Sequence, residues 1–145
     1  NAGSPLPRGQ PSGLLQTKRS MEFLKGQAST KQRGDAAEAR ALAHLQAAGL
    51  RLVTRNYRTP GRGGGEIDLI LRDRDGTLVF VEVRARTGAS HGGAGASIGV
   101  VKQRRIVFAA RHYLMKLSAL PPCRFDVVLL DGDRLEWLRG AFDAA

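Results

Sequence analysis

One stretch, Gly65 to Arg86 (GEIDLILRDRDGTLVFVEVRAR), limits what this chain can fold into more than any other. Glu66-Ile67-Asp68-Leu69-Ile70-Leu71 alternates charged with aliphatic residues, and Phe80-Val81-Glu82-Val83-Arg84 does the same. A period of two is the pattern of a half-buried β-strand. Asp75-Gly76 between the runs marks a hairpin. A two-residue Asp75-Gly76 loop sets Asp68 against Val83 on opposite faces. A three-residue loop, Arg74-Asp75-Gly76, sets Asp68 directly against Glu82 and leaves Gly76 in the left-handed position that such loops require. The second register is the one expected. It gathers Asp68, Glu82 and Arg84 on one face and Val79, Val81 and Val83 on the other.

Carboxylates side by side on neighbouring strands repel unless something binds between them. Ligands that are all oxygen suit a hard cation, magnesium or manganese. The same acids on a solvated face, paired with the arginines around them, are the plainer alternative.

An acid, about a dozen residues, then Glu-X-Lys on the next strand is the pattern of the PD-(D/E)XK nuclease core, which this stretch resembles. A larger ordered set resembles the YraN-type family of small bacterial endonuclease-like proteins. Its members here are Gly34 to Glu38 ahead of a helix, Arg55-Asn56-Tyr57-Arg58, Gly65-Glu66-Ile67-Asp68, Phe80-Val81-Glu82-Val83-Arg84-Ala85-Arg86, Lys102 in a later helix, and Arg124-Phe125-Asp126-Val127-Val128. The likeness runs from about Gly34 to Phe142. It implies an α/β fold with a restriction endonuclease-like core, a mixed β-sheet flanked by helices.

The chain has 145 residues, enough for one domain with a substantial core. Its net charge of +10 suits an anionic partner, most simply nucleic acid. Six basic residues against the single acid Glu22 precede Gly34, which leaves 17 basic against 12 acidic in the remainder, so the part expected to be globular is basic in its own right. Cys123 is the only cysteine, which excludes an intramolecular disulfide and a cysteine-based metal site and suits a reducing cytoplasm. No run approaches the roughly 18 apolar residues of a membrane span. Residues 1–33, rich in Gly, Pro, Ser, Gln and basic side chains, are expected to form a disordered basic extension, with residues 34–145 as the domain.

Along the domain, Asp35 to Ala48 reads as a helix capped by Asp35, with Glu38 as capping-box partner and Gly49 as its stop. Glu38 has a second reading, as an acid reaching the cluster, which the resemblance to resolvase-like proteins implies. Leu50 to Arg58 reads as a strand. The TPGRGGG segment, Thr59 to Gly65, reads either as a mobile flap carrying Arg62 towards a phosphate or as an insertion with no role. His91 lies in a second Gly-rich connection, Arg86 to Ala96, and carries no assignment. Ser97 is the expected cap of a helix to about Leu117, whose buried face is Ile106, Ala109, Ala110, Tyr113, Leu114 and Leu117. Its first turns are basic through Lys102, Arg104 and Arg105. Arg124 to Leu130 and Arg134 to Trp137 or beyond read as the last strands, with Asp126 pairing with an arginine and Trp137 packing as core or edge. The acids are expected near one edge of the sheet.

The resemblance further implies a metal-dependent DNA endonuclease, or a Holliday-junction-resolvase-like nuclease acting on structured DNA in repair or recombination. Asp68, Glu82, the Val83 carbonyl and Glu66 would hold Mg²⁺ or Mn²⁺. Asp68, Glu82, Arg84, Glu38 and Lys102 would form the catalytic set, and Arg62, Arg86, Lys102 and Arg105 would contact nucleic acid. Arg84 departs from the family pattern, which has lysine there. An arginine clamps phosphate but does not deprotonate at working pH, so a lysine-as-base mechanism is excluded at that position. A resolvase-like role implies a homodimer. The alternative function is a nucleic-acid-binding module of a repair assembly with a weakened catalytic site.

Overall fold

The computed structural model describes residues 34–86 and 98–144, with the backbone only at Arg86. The expected extension, His91 and Ser97 lie outside the described residues. Residues 34–47 are helical (α1), followed by β1 (Arg51–Arg58), β2 (Glu66–Arg72), β3 (Leu78–Arg86), α2 (Val100–Leu114), β4 (Cys123–Asp131) and β5 (Arg134–Phe142). The five strands form one sheet in the order β1-β2-β3-β4-β5. β3 and β4 are parallel, joined by α2 as a crossover, and every other neighbouring pair is antiparallel. The result is the expected α/β architecture, a mixed sheet with a helix on each face.

The hairpin has the register anticipated from its loop. Leu69 faces Val81, Ile70 faces Phe80 and Arg72 faces Leu78, leaving Arg74-Asp75-Gly76 as the turn. Gly76 has φ +91, a conformation open to glycine at little cost. The turn is closed by hydrogen bonds from Asp73 N–H to the Thr77 carbonyl (2.8 Å) and from Gly76 N–H to the Asp73 carbonyl (3.0 Å).

Alternation then distributes the core. Ile70, Leu78, Phe80, Phe125, Val127 and Leu129 pack with Ile106, Val107, Ala109 and Ala110 of α2. Leu69, Leu71, Val79, Val81, Val128 and Leu130 pack with Ala37, Ala41 and Leu45 of α1. Full burial of each large side chain contributes about 1.5–3 kcal/mol, which makes β2, β3 and β4 the rigid centre of the domain.

Two helix starts differ from expectation. Gly34 and Asp35 are already helical, so Asp35 is not the cap of α1. α2 begins at Val100 behind Gly99, which has extended backbone and offers no side-chain cap. The end of α1 is as expected: Leu50 N–H reaches the Leu45 carbonyl and Gly49 N–H the Gln46 carbonyl, the paired bonds of a Schellman motif.

Candidate metal and phosphate site

Pairing between β2 and β3 ends at Leu69 and Val81. Beyond it, β2 continues against β1 as far as Arg58–Glu66, and β3 continues against β4 as far as Arg86–Asp131. The sheet therefore forks, with Asp68 on one tine and Glu82 on the other. The acids sit where the pairing of two interior strands ends, not near an edge of the sheet as expected. The fork strips β3 of ladder partners on its β2 side, and Asp68 replaces one of them: its Oδ2 accepts the Val83 N–H at 2.8 Å. In an extended strand the N–H and C=O of one residue point the same way, so the Val83 carbonyl also faces the opening.

Glu82 is buried, with 8% of its side chain exposed, and Lys102 Nζ from α2 lies 3.6 Å from its Oε2. Its Oε1 is buried and accepts no hydrogen bond among the described residues. Burial first, and the neighbouring Asp68 second, push the Glu82 carboxyl up to about 8, against the pull of Lys102. Burial also raises Asp68, opposed chiefly by the Val83 N–H. The contact between the two carboxyls lowers Asp68 and raises Glu82 further. Two desolvated acids forced together, one oxygen lacking a donor, form an arrangement that a cation relieves.

Glu82, Val83, Arg84, Gly99 and Lys102 line an open cavity of about 410 Å³. Arg84 shares this cavity on the expected face. Glu66, at the mouth of β2, is turned to Arg58 (3.8 Å). Glu38 stands on α1, the helix packed on the opposite face of the sheet. Among the described residues no three His, Cys, Asp or Glu side chains converge to hold a metal, so neither Glu66 nor Glu38 makes a three-acid group with the pair. The side chain of Arg86 lies outside the described residues.

The TPGRGGG loop is pinned at its base. Gly65 N–H donates to Thr59 Oγ1 (2.8 Å), and Thr59 N–H to the Gly65 carbonyl (3.0 Å). Gly65 lies so close to α2 that a Cβ there would fall 1.9 Å from the Arg105 carbonyl oxygen. Arg105 Nε reaches the Gly64 carbonyl at 3.4 Å, and Arg62 is exposed at the loop's tip. The sequence reading passed over this close approach and also Asn56, which faces the Asp68 stretch from β1 with φ +53. An asparagine within a strand pattern, ahead of a Gly-rich loop, was the available signal for the second.

Asp126 is a buried acid of another kind. Arg124 Nε donates to both of its oxygens (3.1 and 3.2 Å), Trp137 Nε1 to Oδ2 (2.9 Å) and Gly140 N–H to Oδ1 (3.0 Å). Arg124 also bonds Asp73 at 2.9 Å, tying the hairpin turn to β4. Both Asp126 and Trp137 are structural, as their sequence context suggested.

A mixed sheet that forks over an acid pair, with a lysine delivered by the crossover helix, defines a small α/β protein. The comparisons give its family. The model of the uncharacterised protein family UPF0102 matches residues 37–130, and the chain belongs to that family, the YraN-type one its motifs resembled. It is 75% identical over 117 residues to a UPF0102 protein of Acidovorax sp. (strain JS42), covering 81% of this chain and 89% of the relative. A UPF0102 protein of Paracidovorax citrulli (strain AAC00-1) is 73% identical over 116 residues, covering 80% and 86%. The crystal structure of SSO0001 aligns with a TM-score of 0.43 at 14% identity, over 89% of this chain and 61% of that one. No helix among the described residues is long and apolar enough to cross a membrane.

Proposed function

We propose that the chain is a divalent-metal-dependent nuclease that hydrolyses phosphodiester bonds of structured DNA, with its centre at the fork between β2 and β3. The observation that carries this reading is the Asp68–Glu82 pair: a half-buried acid beside a buried one, with Glu82 Oε1 lacking any donor among the described residues. Asp126, in the same sheet, by contrast has donors to both of its oxygens.

The residues fit a hard cation. Asp68, Glu82 and the Val83 carbonyl would hold Mg²⁺ or Mn²⁺, and two carboxylates with a carbonyl are a sufficient protein share for magnesium, which keeps waters and substrate phosphate oxygens as its other ligands. When bound, the ion would lower the pKa of a coordinated water and neutralise charge on the scissile phosphate. Glu66 belongs outside this set, as a charge near Asp68 paired with Arg58.

Arg84 brings a permanent cation that can grip a phosphate through two parallel N–H bonds. Lys102 brings an amine to the place where the family pattern has one on β3. Its three donors can hold both a Glu82 oxygen and a phosphate oxygen or water, steadying charge that grows during attack. Arg62 and Arg105 lie beside the Gly-rich loop, where they extend the cationic surface along a backbone, and the chain's net charge of +10 favours that encounter. No membrane partner enters this reading, and a two-fold junction substrate would call for a homodimer.

The test is cleavage of labelled branched, flapped and plain duplex DNA with Mg²⁺ or Mn²⁺, beside Asp68→Asn/Glu82→Gln and Lys102→Met proteins. The expected result is cutting that disappears in the acid variant and falls about 10²- to 10³-fold in the lysine variant. Binding of the same DNA without cutting, under either metal, would remove the enzyme reading and leave a nucleic-acid-binding module.

A further inference from the structure

The outer face of α2 has no role in the site described above, yet it is not an ordinary solvated face. Val101, Phe108 and Met115 are exposed at 68%, 53% and 78%, seven residues apart and therefore aligned on one side of the helix. Arg104 and Arg111 stand between them on the same side, and with Phe108 and Gln103 they line an open cavity of about 420 Å³. Arg111 Nη2 donates to the Ala144 carbonyl (3.3 Å), a neutral acceptor that leaves the guanidinium charge uncompensated, and among the described residues neither arginine makes an ion pair. Asp143 is the one acid among the cavity's lining residues.

The charge decides what this face can take. A second copy laid helix against helix would bring each Arg104 and Arg111 against the same two cations, an arrangement that opposes association. An apolar partner would bury both guanidinium groups without a counter-charge. An occupant with a flat apolar group between two anions meets none of these objections. That is an unpaired nucleotide, its base on the phenyl ring and its phosphates at the arginines.

The placement connects this face to the acid pair. Lys102, which lines the acid cavity, and Phe108 belong to the same helix, six residues and roughly 9 Å of rise apart. A strand leaving the fork needs only to round the first turns of α2 to reach the ring.

We propose that the outer face of α2 is a stacking platform for an unpaired base of the bound nucleic acid, with Arg104 and Arg111 holding the flanking phosphates. The proposal rests on the nucleic-acid reading above and narrows its substrate to duplexes that carry a single-stranded tail or flap.

The experiment measures binding of the 145-residue chain, without divalent metal, to a labelled blunt duplex and to the same duplex with a six-nucleotide oligo-dT tail, alongside self-association by sedimentation. Wild type should prefer the tailed duplex. Phe108→Ala should lower that preference about tenfold, and Phe108→Trp should keep it. Arg104→Gln with Arg111→Gln should flatten the salt dependence of tailed binding by about two phosphate contacts. An unchanged preference in folded Phe108→Ala, or no preference in wild type, overturns the platform. So does a wild-type dimer that Phe108→Ala disperses while DNA binding stays the same, since the face would then be a protein interface. Tail preference in a protein that cuts nothing supports the platform while removing the nuclease. Failure to bind either duplex removes both.

Discussion

Two buried acid sites in the same sheet have been solved in opposite ways. Asp126 on β4 receives a guanidinium, an indole N–H and a backbone N–H, so both of its oxygens are satisfied at ordinary distances. Asp68 and Glu82 on β2 and β3 lie side by side with raised carboxyls, and one Glu82 oxygen is left with no donor among the described residues. Both sites lie beside cations, Arg124 at 3.1 Å and Lys102 at 3.6 Å, so the presence of positive charge does not separate them. The count of donors does. The contrast between an acid with donors to both oxygens and one left short of a donor on the neighbouring strand is what motivates the cation proposed for the second.

The comparison can be broken from either side, and the largest effect is expected at the satisfied acid. Asp126→Ala leaves Arg124, the Trp137 indole and the Gly140 N–H without their acceptor, and should cost about 3–5 kcal/mol in denaturant unfolding. A loss below about 1 kcal/mol would mean that Asp126 is not a structural acid.

Glu82→Gln should act in the opposite direction. The Glu82 carboxyl is raised in the fold from 4.5 to about 8, so the folded chain holds a proton that the unfolded chain releases. Wild-type stability should therefore be highest below about pH 4.5 with respect to this group, fall as pH rises, and level off above about pH 8. The glutamine has no charge to desolvate. It should exceed wild type by roughly 2–4 kcal/mol above pH 8, with the two converging below about pH 4.5; the range is set below the full shift because Asp68 titrates with Glu82. Parallel pH curves for the two proteins would contradict the strained pair.

The smallest effect should come from the exposed Arg58–Glu66 pair at 3.8 Å. Arg58→Ala is expected to change stability by less than about 0.5 kcal/mol at any pH, and still less in high salt. A larger loss would show that Glu66 is coupled to the acid pair more tightly than its exposure indicates.

How much of this could be read from the residues follows from the range of the forces involved. The hairpin's register was legible because Arg74-Asp75-Gly76 is a local device, and register alone then dictates that Asp68 meets Glu82 on the face of Arg84. The helical stop at Gly49 was legible for the same reason, as was the Arg124–Asp126 pairing, two residues apart on one strand.

The fork was not legible. It arises where β2 and β3 part, β2 staying with β1 and β3 with β4, and nothing local to Leu69 or Val81 announces the parting. Gly65 was read for its backbone freedom, whereas its position is set by the close passage of Arg105 from 40 residues later. The reach of Lys102 to Glu82 likewise depends on how α2 crosses the sheet. Asp35 was expected to cap α1 because it fits the capping box with Glu38, but the helix already includes it, so the local match did not decide the boundary.

The central claim is that the Asp68–Glu82 pair is strained for the sake of a cation, and titration calorimetry with Mn²⁺ near pH 7, repeated in buffers of different ionisation enthalpy, tests it most directly. Wild type should bind the ion and release about one proton per site as the metal takes the proton's place, and Asp68→Asn should abolish both signals. Equal heats and equal proton release from wild type and a folded Asp68→Asn protein would contradict the account.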